Sequence, residues 1–238
     1  QALAGCDSVV ILAAKKVNPK ETQSLALYEE NVRIVENTLV ACNKLGIKNI
    51  VYLSSRCVYA AGQKVPVAED GEICPINYYG ISKYTGELLC GYYNRIEQTN
   101  IKILRFSQVV GNDKNGYMID RFMENAEKGL PLPVYGKSVG RRDYIYVKDA
   151  CRAIWAALRR YDLCGVYNIG SGVGTTNLEL AKAVTGGFHS SSQVEMLTEK
   201  QEDPSISYLD VSKAKEELGF SCEYSLQEAF CDLKKERG

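Results

Sequence analysis

Apolar and polar positions alternate along the first half of the chain in two different rhythms. Short runs of apolar and β-branched residues predict buried strands at 7–14 (DSVVILAA), 48–55 (KNIVYLSS) and 101–110 (IKILRFSQVV). Between these runs, apolar residues recur every three or four positions, which predicts helices over about 21–45 and over 78–96. Strands alternating with helices are typical of βαβ units, so the pattern predicts a parallel sheet.

The first predicted helix shows its apolar stripe clearly. Steps of three and four join Leu25, Tyr28, Val32, Val35, Leu39 and Cys42. Gly46 follows, where a glycine commonly ends a helix.

The pattern loosens after about residue 113. A helix is predicted at 117–128, then a proline-broken segment (LPLPVYG) and a short strand (DYIYV). Further helices are predicted to begin at Asp149, Thr176 and Ser225, the last two with capping boxes that end in Glu179 and Glu228. Together these elements predict a doubly wound α/β core with a smaller C-terminal lobe.

Composition narrows the range of partners. The 238 residues carry a net charge of zero, so nothing favours a nucleic-acid surface, and no apolar run approaches the ~20 residues of a membrane helix. Nine cysteines lie singly, without CxxC spacing, and His189 is the only histidine. We therefore expect reduced thiols, a cytoplasmic location and no metal site.

The beginning of the chain lacks an expected feature. A doubly wound nucleotide fold opens with a strand and a glycine-rich turn that holds the pyrophosphate, yet no GxGxxG occurs here, and GSGVG at 170–174 has different spacing. Either that turn lies upstream, or the chain is not a dinucleotide enzyme. We also expect the strand at 7–14 to have an unpaired edge that upstream residues or another chain would cover.

One pair of side chains offers acid–base chemistry. Tyr79 and Lys83 are four residues apart on a predicted helix, which places them on one face, one turn apart. A nearby ammonium favours the phenolate, so we expect the pKa of Tyr79 to fall below its usual value near 10. A hydroxyl from Ser54 or Ser55 could orient a substrate alcohol for proton removal.

A second YxxxK spacing, Tyr144 to Lys148, has a different context. It lies on a predicted strand, where four residues span about 13 Å. That distance is too long for the amine to tune the phenol.

Six motifs in one order extend this interpretation. They are VYLSSRCVYA (51–60), PINYYGISK (75–83), LRFSQVVGN (104–112), VYGKSVGRRDYIYVKDA (134–150), VYNIGSGVGTTNLELA (166–181) and DPSISYLDVSKAKEELGF (203–220). In this order the chain resembles the extended short-chain dehydrogenase/reductase family of NAD-dependent sugar-nucleotide epimerases and dehydratases. The match begins at that family's fourth strand, which implies that roughly 60 residues are absent upstream.

The resemblance implies a role for each matching residue. Tyr79 would be the general base, Lys83 the ligand of the nicotinamide ribose, and Ser55 the hydroxyl that orients the substrate. The backbone at Ala13 and Ala14 would contact the cofactor, together with Lys16, Asn31, Ser54 and Tyr79. Gln108 and Arg142 would contact the substrate diphosphate, and LPVYG would line the nucleobase. The alternatives are a solvated Lys16, a merely polar Asn31 and an Arg142 paired with Asp143.

Departures from the family pattern bear on the reaction. Sugar 4,6-dehydratases carry an Asp-Glu pair after the catalytic hydroxyl, whereas Arg56 and Cys57 follow Ser55, which disfavours a dehydratase. Cys57 matches the catalytic cysteine of GDP-fucose-synthase-like enzymes, but Asp113 stands near the place of the partner histidine, so we expect a packed thiol. An arginine expected just before Asp203 is also absent.

The resemblance implies a nucleotide-sugar epimerase that works by reversible hydride transfer through NAD, with NADP as an alternative. A one-way oxidoreductase of the same family and a truncated, non-catalytic sugar-nucleotide binder are the other hypotheses. Residues 1–112, with about 143–170 returning, would form the partial cofactor domain, and 113–238 mainly the substrate lobe. Helices 21–45 and 78–96 would pair in a homodimer.

Overall fold

A computed structural model describes residues 3–15, 24–112 and 117–237 of the chain. The strands in these ranges are β1 (Ser8–Ile11), β2 (Asn49–Ser55), β3 (Asn100–Phe106), β4 (Gln108–Val110), β5 (Leu132–Tyr135), β6 (Arg141–Arg142), β7 (Tyr144–Tyr146), β8 (Gly165–Ile169), β9 (Thr175–Thr176), β10 (Val194–Leu197) and β11 (Ile206–Ser207). The helices are α1 (Leu25–Lys44), α2 (Tyr78–Ile96), α3 (Met118–Lys128), α4 (Val147–Leu158), α5 (Asn177–Gly187), α6 (Ser212–Leu218) and α7 (Leu226–Arg237).

A four-stranded parallel sheet forms the centre of the fold, in the order β1-β2-β3-β8. Its strands are apolar on both faces because helices cover both. Ile50 and Tyr52 of β2 pack in the cluster that includes α1 and α2, whereas Val51 packs in the cluster that includes α4 and α6. Alternate residues of a strand point to opposite faces, so one buried strand serves both layers. This is the expected α/β, Rossmann-like arrangement, and β1 pairs only with β2 within the described ranges.

A second apolar cluster lies beside the sheet. It joins α3, α5, α7 and strand β5, with Phe122, Phe188 and Phe230 among its largest buried side chains. Short strand pairs connect this lobe to the core: β4 with β7, and β6 between β11 and β9.

Two predicted strands differ from the observed ones. Strand 7–14 ends at Ile11, because the following residues turn toward α1, where the Lys15 N–H donates to Asn31. Strand 101–110 is broken at Ser107, whose N–H donates to Ile169 of β8, while the next N–H, that of Gln108, donates to Asp143. The chain passes there from the central sheet to the β4–β7 pair.

The buried face of α1 differs from the predicted stripe. Leu27, Asn31, Val35, Leu39 and Cys42 are buried, whereas Leu25 is 54% exposed. Asn31 belongs to this face because the Lys15 backbone and Ser82 satisfy its amide, which the spacing of apolar residues alone could not show.

Two capping boxes form as predicted, at Thr176 with Glu179 and at Ser225 with Glu228. Helix α4 instead begins at Val147, two residues before the predicted start. Asp149 is fully buried and accepts N–H groups of Glu223 and Tyr224, so it anchors another segment and does not cap its own helix.

None of the described helices combines the length and apolar character that crossing a bilayer requires. No cluster of potential metal ligands occurs among the described residues.

Candidate active site

The first turn of α2 is held tightly against the end of β2. Asn77 caps the helix by accepting the N–H of Gly80 at 2.8 Å. A Cβ atom built on Gly80 would lie 2.3 Å from the Cys57 carbonyl oxygen, so only glycine allows this approach. The contact brings Tyr79 of α2 beside Ser55 at the end of β2.

Tyr79, Lys83 and Ser55 come together at this junction. The Ser55 hydroxyl lies close enough to the Tyr79 phenol to affect its pKa. The Lys83 amine lies 5.7 Å from the centroid of the Tyr79 ring and donates to the Leu53 carbonyl at 2.7 Å. The helical spacing therefore places the amine and the phenol on one side of α2, as predicted.

The pKa of Tyr79 shifts in the direction opposite to our expectation. Burial raises it to about 12, the neighbouring Cys57 raises it further, and the hydrogen bond from Ser55 lowers it. Burial also lowers the pKa of Lys83 to about 8, against the opposing effect of Glu87. Sequence spacing revealed the pair but not the desolvation that governs it.

Ser54 and Ser55 point to different surroundings. The Ser54 hydroxyl is buried and donates to Glu87 at 2.5 Å, inside a network in which Arg105 forms a bidentate pair with the same carboxylate. Arg105 also donates to the Tyr59 hydroxyl at 2.8 Å. The structure therefore brings Ser55, and not the Ser54 hydroxyl, to Tyr79.

The loop after β1 contains the residues predicted to lie under the cofactor. Ala13 is exposed and Ala14 is partly buried, and Asn31 holds the loop through both backbone groups of Lys15. Asn31 also donates to Ser82 at 3.3 Å, so it ties the loop to α2 and is more than a polar position on a helix. Lys16 lies outside the described residues.

A cavity of about 200 Å³ lies between the core and the second lobe. Gln108, Arg142, Tyr144 and Asp203 are among its lining residues. A neighbouring cavity is lined partly by Pro133 and Tyr135 of the LPVYG segment, and the two share Met118, Asn177 and Asp203. Gln108 and Arg142 thus share one cavity, beside the segment predicted to line the nucleobase.

Arg142 has a different ion-pair partner from the one considered above. Its guanidinium pairs with Asp203 at 2.5 Å and also donates to Ser205. Asp143 is fully buried and accepts the N–H groups of Ser171, Gly172 and Leu209.

Asp143 is a structural residue that sequence reasoning missed. It joins three of the ordered motifs: RRDYIYV, the GSGVG turn and the SYLD segment. Two features of the sequence could have indicated this role. Asp143 directly precedes an apolar strand, and the GSGVG turn offers several backbone N–H donors. Glycine at position 170 allows the turn to approach Asp143 closely, since a Cβ there would lie 2.5 Å from the carboxylate.

The second YxxxK spacing has no catalytic geometry. Tyr144 is on β7, but Lys148 lies on α4, not on a strand as predicted. Lys148 is paired with Asp232 and Glu236 of the second lobe.

Comparisons with known proteins agree with this architecture. Residues 1–170 match the NAD dependent epimerase/dehydratase family. The chain is 30% identical over 248 residues to UDP-glucose 4-epimerase GEPI48 of Cyamopsis tetragonoloba, an alignment that covers 93% of this chain and 70% of that protein.

Solved structures give the same result. A UDP-N-acetylglucosamine 4-epimerase from Bacillus cereus superimposes with a TM-score of 0.89 at 34% identity, covering 98% of this chain and 78% of that one. A UDP-glucuronic acid 4-epimerase from the same species, in complex with UDP-glucuronic acid and NAD, gives a TM-score of 0.81 at 27% identity, covering 98% and 76%. The chain belongs to the NAD-dependent epimerase/dehydratase family.

Proposed function

We propose that the protein is an NAD-dependent nucleotide-sugar epimerase that inverts a ring hydroxyl, most simply at C4. The observation that carries this proposal is the placement of Ser55 beside the Tyr79 phenol, with the Lys83 amine 5.7 Å from the centroid of the Tyr79 ring. In this arrangement Tyr79 would accept a proton and Ser55 would orient the substrate hydroxyl. The Lys83 ammonium would bind the two hydroxyls of the cofactor ribose.

The residues at the site fit a nicotinamide cofactor. Lys83 is 5% exposed, and the described residues give its three N–H donors one hydrogen-bond acceptor, so two donors are available to ribose hydroxyls. The buried Ser107 hydroxyl, at the same end of the sheet, has no hydrogen-bond partner in the described ranges. A buried hydroxyl of this kind requires a partner, which a bound amide would provide.

The chain's own residues divide the work as follows. Lys83 would hold the ribose, while Asn31 would fix the loop at Ala13 and Ala14 beneath the cofactor. Bound NAD supplies a ring that accepts hydride from the sugar carbon and can return it to the other face. To take the sugar's hydroxyl proton, directly or through Ser55, Tyr79 would have to be ionised, and the positive charges of Lys83 and of the bound nicotinamide would favour that phenolate against the effect of burial. The phenol would give the proton back when the carbonyl is reduced.

Inversion requires the sugar to turn while the nucleotide stays bound. Gln108 and Arg142 share the cavity that would hold the diphosphate, and a guanidinium can bind two phosphate oxygens in a fixed fork. Arg142 is paired with Asp203, whose side chain is 69% exposed and could move aside. The second cavity, with Pro133 and Tyr135, would accept the base.

Product stereochemistry tests this function. The protein is incubated with NAD and, separately, UDP-, GDP- and dTDP-sugars, and the sugars are followed by proton NMR alongside nicotinamide absorbance. An epimerase converts one stereoisomer into a mixture of two without net accumulation of NADH. Stoichiometric NADH would indicate the one-way oxidoreductase, and binding without turnover would indicate the non-catalytic binder.

We propose the domain division in the same terms. Residues 1–112, with about 143–170 returning, would form the cofactor domain, and 113–238 mainly the substrate lobe. Helix α6 packs with Ala214 and Leu218 against the central sheet, which supports a second return of the chain to the cofactor domain. The nine free thiols support a cytoplasmic location, since unpaired cysteines are typical of reducing compartments.

We also propose a homodimer formed through α1 and α2. One face of α2 exposes four apolar side chains at helical spacing, and α1 adds two nearby in the fold: Ile81, Leu88, Tyr92 and Ile96 with Leu25 and Val40. A contiguous apolar face of this kind is typical of a protein interface. Light scattering after size exclusion should give a dimer for the unmodified protein and a monomer for Leu88→Glu, whereas Trp155→Glu on α4 serves as the exposed control. A monomeric unmodified protein would overturn this assembly.

A further inference from the structure

Arg56 is a cation that the proposed mechanism leaves without a task. It directly follows Ser55 and is partly buried in the short turn after β2. Within the described ranges its side chain makes one hydrogen bond, to the Ser207 hydroxyl at 3.4 Å, and no carboxylate in those ranges pairs with it.

Other arginines near the site differ in this respect. Arg105 is saturated by Glu87, Tyr59 and a backbone carbonyl, and Arg142 pairs with Asp203. Among the described residues, Arg56 thus lacks the countercharge that both of these have. Withdrawing a guanidinium from water without a countercharge is costly, so such a group in a substrate cleft is well suited to an anionic ligand.

The position of Arg56 lies between the two ends of the proposed substrate site. At one end, Ser55, the preceding residue, contacts the reacting phenol of Tyr79. At the other end, Ser207 is the strand partner of Arg142 in the β6–β11 pair. Arg56 also acts on Tyr144 of the cavity wall, where it and Arg142 oppose the rise in pKa that burial causes.

A hexose bound with its reacting hydroxyl at Tyr79 and its diphosphate at Arg142 has its ring between these ends. The ring substituents are then the substrate groups nearest the Arg56 guanidinium. We propose that Arg56 is a specificity-determining residue that selects nucleotide sugars whose ring carries a carboxylate. This rests on the proposed function, and it names the substrate class.

The test compares the binding of an acidic and a neutral sugar nucleotide. Dissociation constants for UDP-glucuronate and UDP-glucose are measured by titration calorimetry with NAD present, for the unmodified protein, Arg56→Gln and the exposed control Arg159→Gln. The unmodified protein and the control should prefer the uronate, and the preference should weaken as salt is added. Arg56→Gln should reduce the uronate-to-glucose affinity ratio by about 10- to 100-fold, as expected for loss of a charged hydrogen bond.

Each other result has a distinct meaning. Preference of the unmodified protein for UDP-glucose overturns the selectivity, whether or not Arg56→Gln folds. If Arg56→Gln loses the same affinity for both sugar nucleotides, Arg56 binds their shared diphosphate, and the proposed selectivity is overturned. Epimerisation of UDP-glucose would in that case still support the proposed function. Failure of both UDP-sugars to bind overturns the selectivity, whereas the function itself is overturned only if GDP- and dTDP-sugars also fail to turn over. Arg56→Lys, which keeps the charge but not the fork, should retain part of the preference.

Discussion

The two serines that end β2 belong to regions with opposite properties. Ser54 donates into an interior network in which Glu87 and Arg105 are 4% and 5% exposed and every charge is paired. Ser55 lies instead beside Tyr79, near Lys83 and Arg56, whose side chains each make one hydrogen bond within the described residues and could make more. Neighbouring residues of one strand would thus serve stability on one side and the proposed chemistry on the other. The difference lies in how completely the polar groups around each serine are hydrogen bonded.

The largest expected effect separates chemistry from folding on the cleft side. Tyr79→Phe removes the proton acceptor while keeping the ring, so we expect kcat to fall about 10²- to 10⁴-fold with little change in stability. Steady-state kinetics and thermal unfolding of the same preparation measure both quantities. Normal turnover by this variant would exclude Tyr79 as the base.

In the buried network around Ser54, a substitution should affect stability. Glu87→Gln leaves the Arg105 guanidinium buried without its countercharge, and we expect the free energy of unfolding to fall by about 3–5 kcal/mol. Urea denaturation measures the loss. The solvent-exposed pair of Arg160 and Asp162 provides the control, since water screens this pair and Asp162→Asn should cost far less stability than Glu87→Gln.

Alanine at each serine tests the comparison directly. Ser54→Ala leaves a buried carboxylate one hydrogen bond short, so about 1–3 kcal/mol of stability should be lost. Ser55→Ala should mainly lower kcat, because its hydroxyl contacts the Tyr79 phenol. Loss of stability at Ser55 with unchanged kcat would reverse the assignment of the two faces.

A smaller effect should follow pH. Because burial lowers the pKa of Lys83 to about 8, the amine loses its charge as pH rises through that value. If the charged form holds the ribose, affinity for NAD should fall about tenfold for each pH unit above 8. Between about 8 and the usual lysine value, the unfolded chain binds the proton that the folded chain has lost, so this group's contribution to stability rises with pH.

Lys83→Arg provides the control for that measurement. An arginine stays charged across this range, so its binding curve should be flat between pH 7 and 9, even if weaker overall. Fluorescence titration of NAD at each pH distinguishes the two curves. A flat curve for the unmodified protein would place the ribose contact on another group.

Sequence predicted the elements well where apolar periodicity was continuous. Helix α2 begins and ends where expected, and the four-residue spacing correctly predicted that Tyr79 and Lys83 lie close together. Buried polar residues were harder to predict from the sequence, because their hydrogen-bond partners come close only in the folded chain. Asn31 is satisfied from Lys15 and Ser82, and Asp143 from turns that lie far along the chain.

Electrostatic outcomes also required the structure. The spacing of Tyr79 and Lys83 favoured a lowered phenol pKa, but burial raises it to about 12. The partner of Arg142 could not be inferred from its neighbour Asp143 because Asp203 reaches it only through the pairing of β6 with β11. Spacing shows which groups can meet, whereas desolvation and long-range pairing decide their charge.

The close contact at Gly80 limits how this site can change. Because the Cys57 carbonyl is in close contact with the backbone at Gly80, the turn at Arg56–Val58 packs directly against the helical turn that carries Tyr79. Residues of the turn whose side chains point away from this contact are free to vary, but a lengthened turn would displace Tyr79 itself. Altered substrate choice should therefore come more readily from exchanging side chains there than from inserting residues.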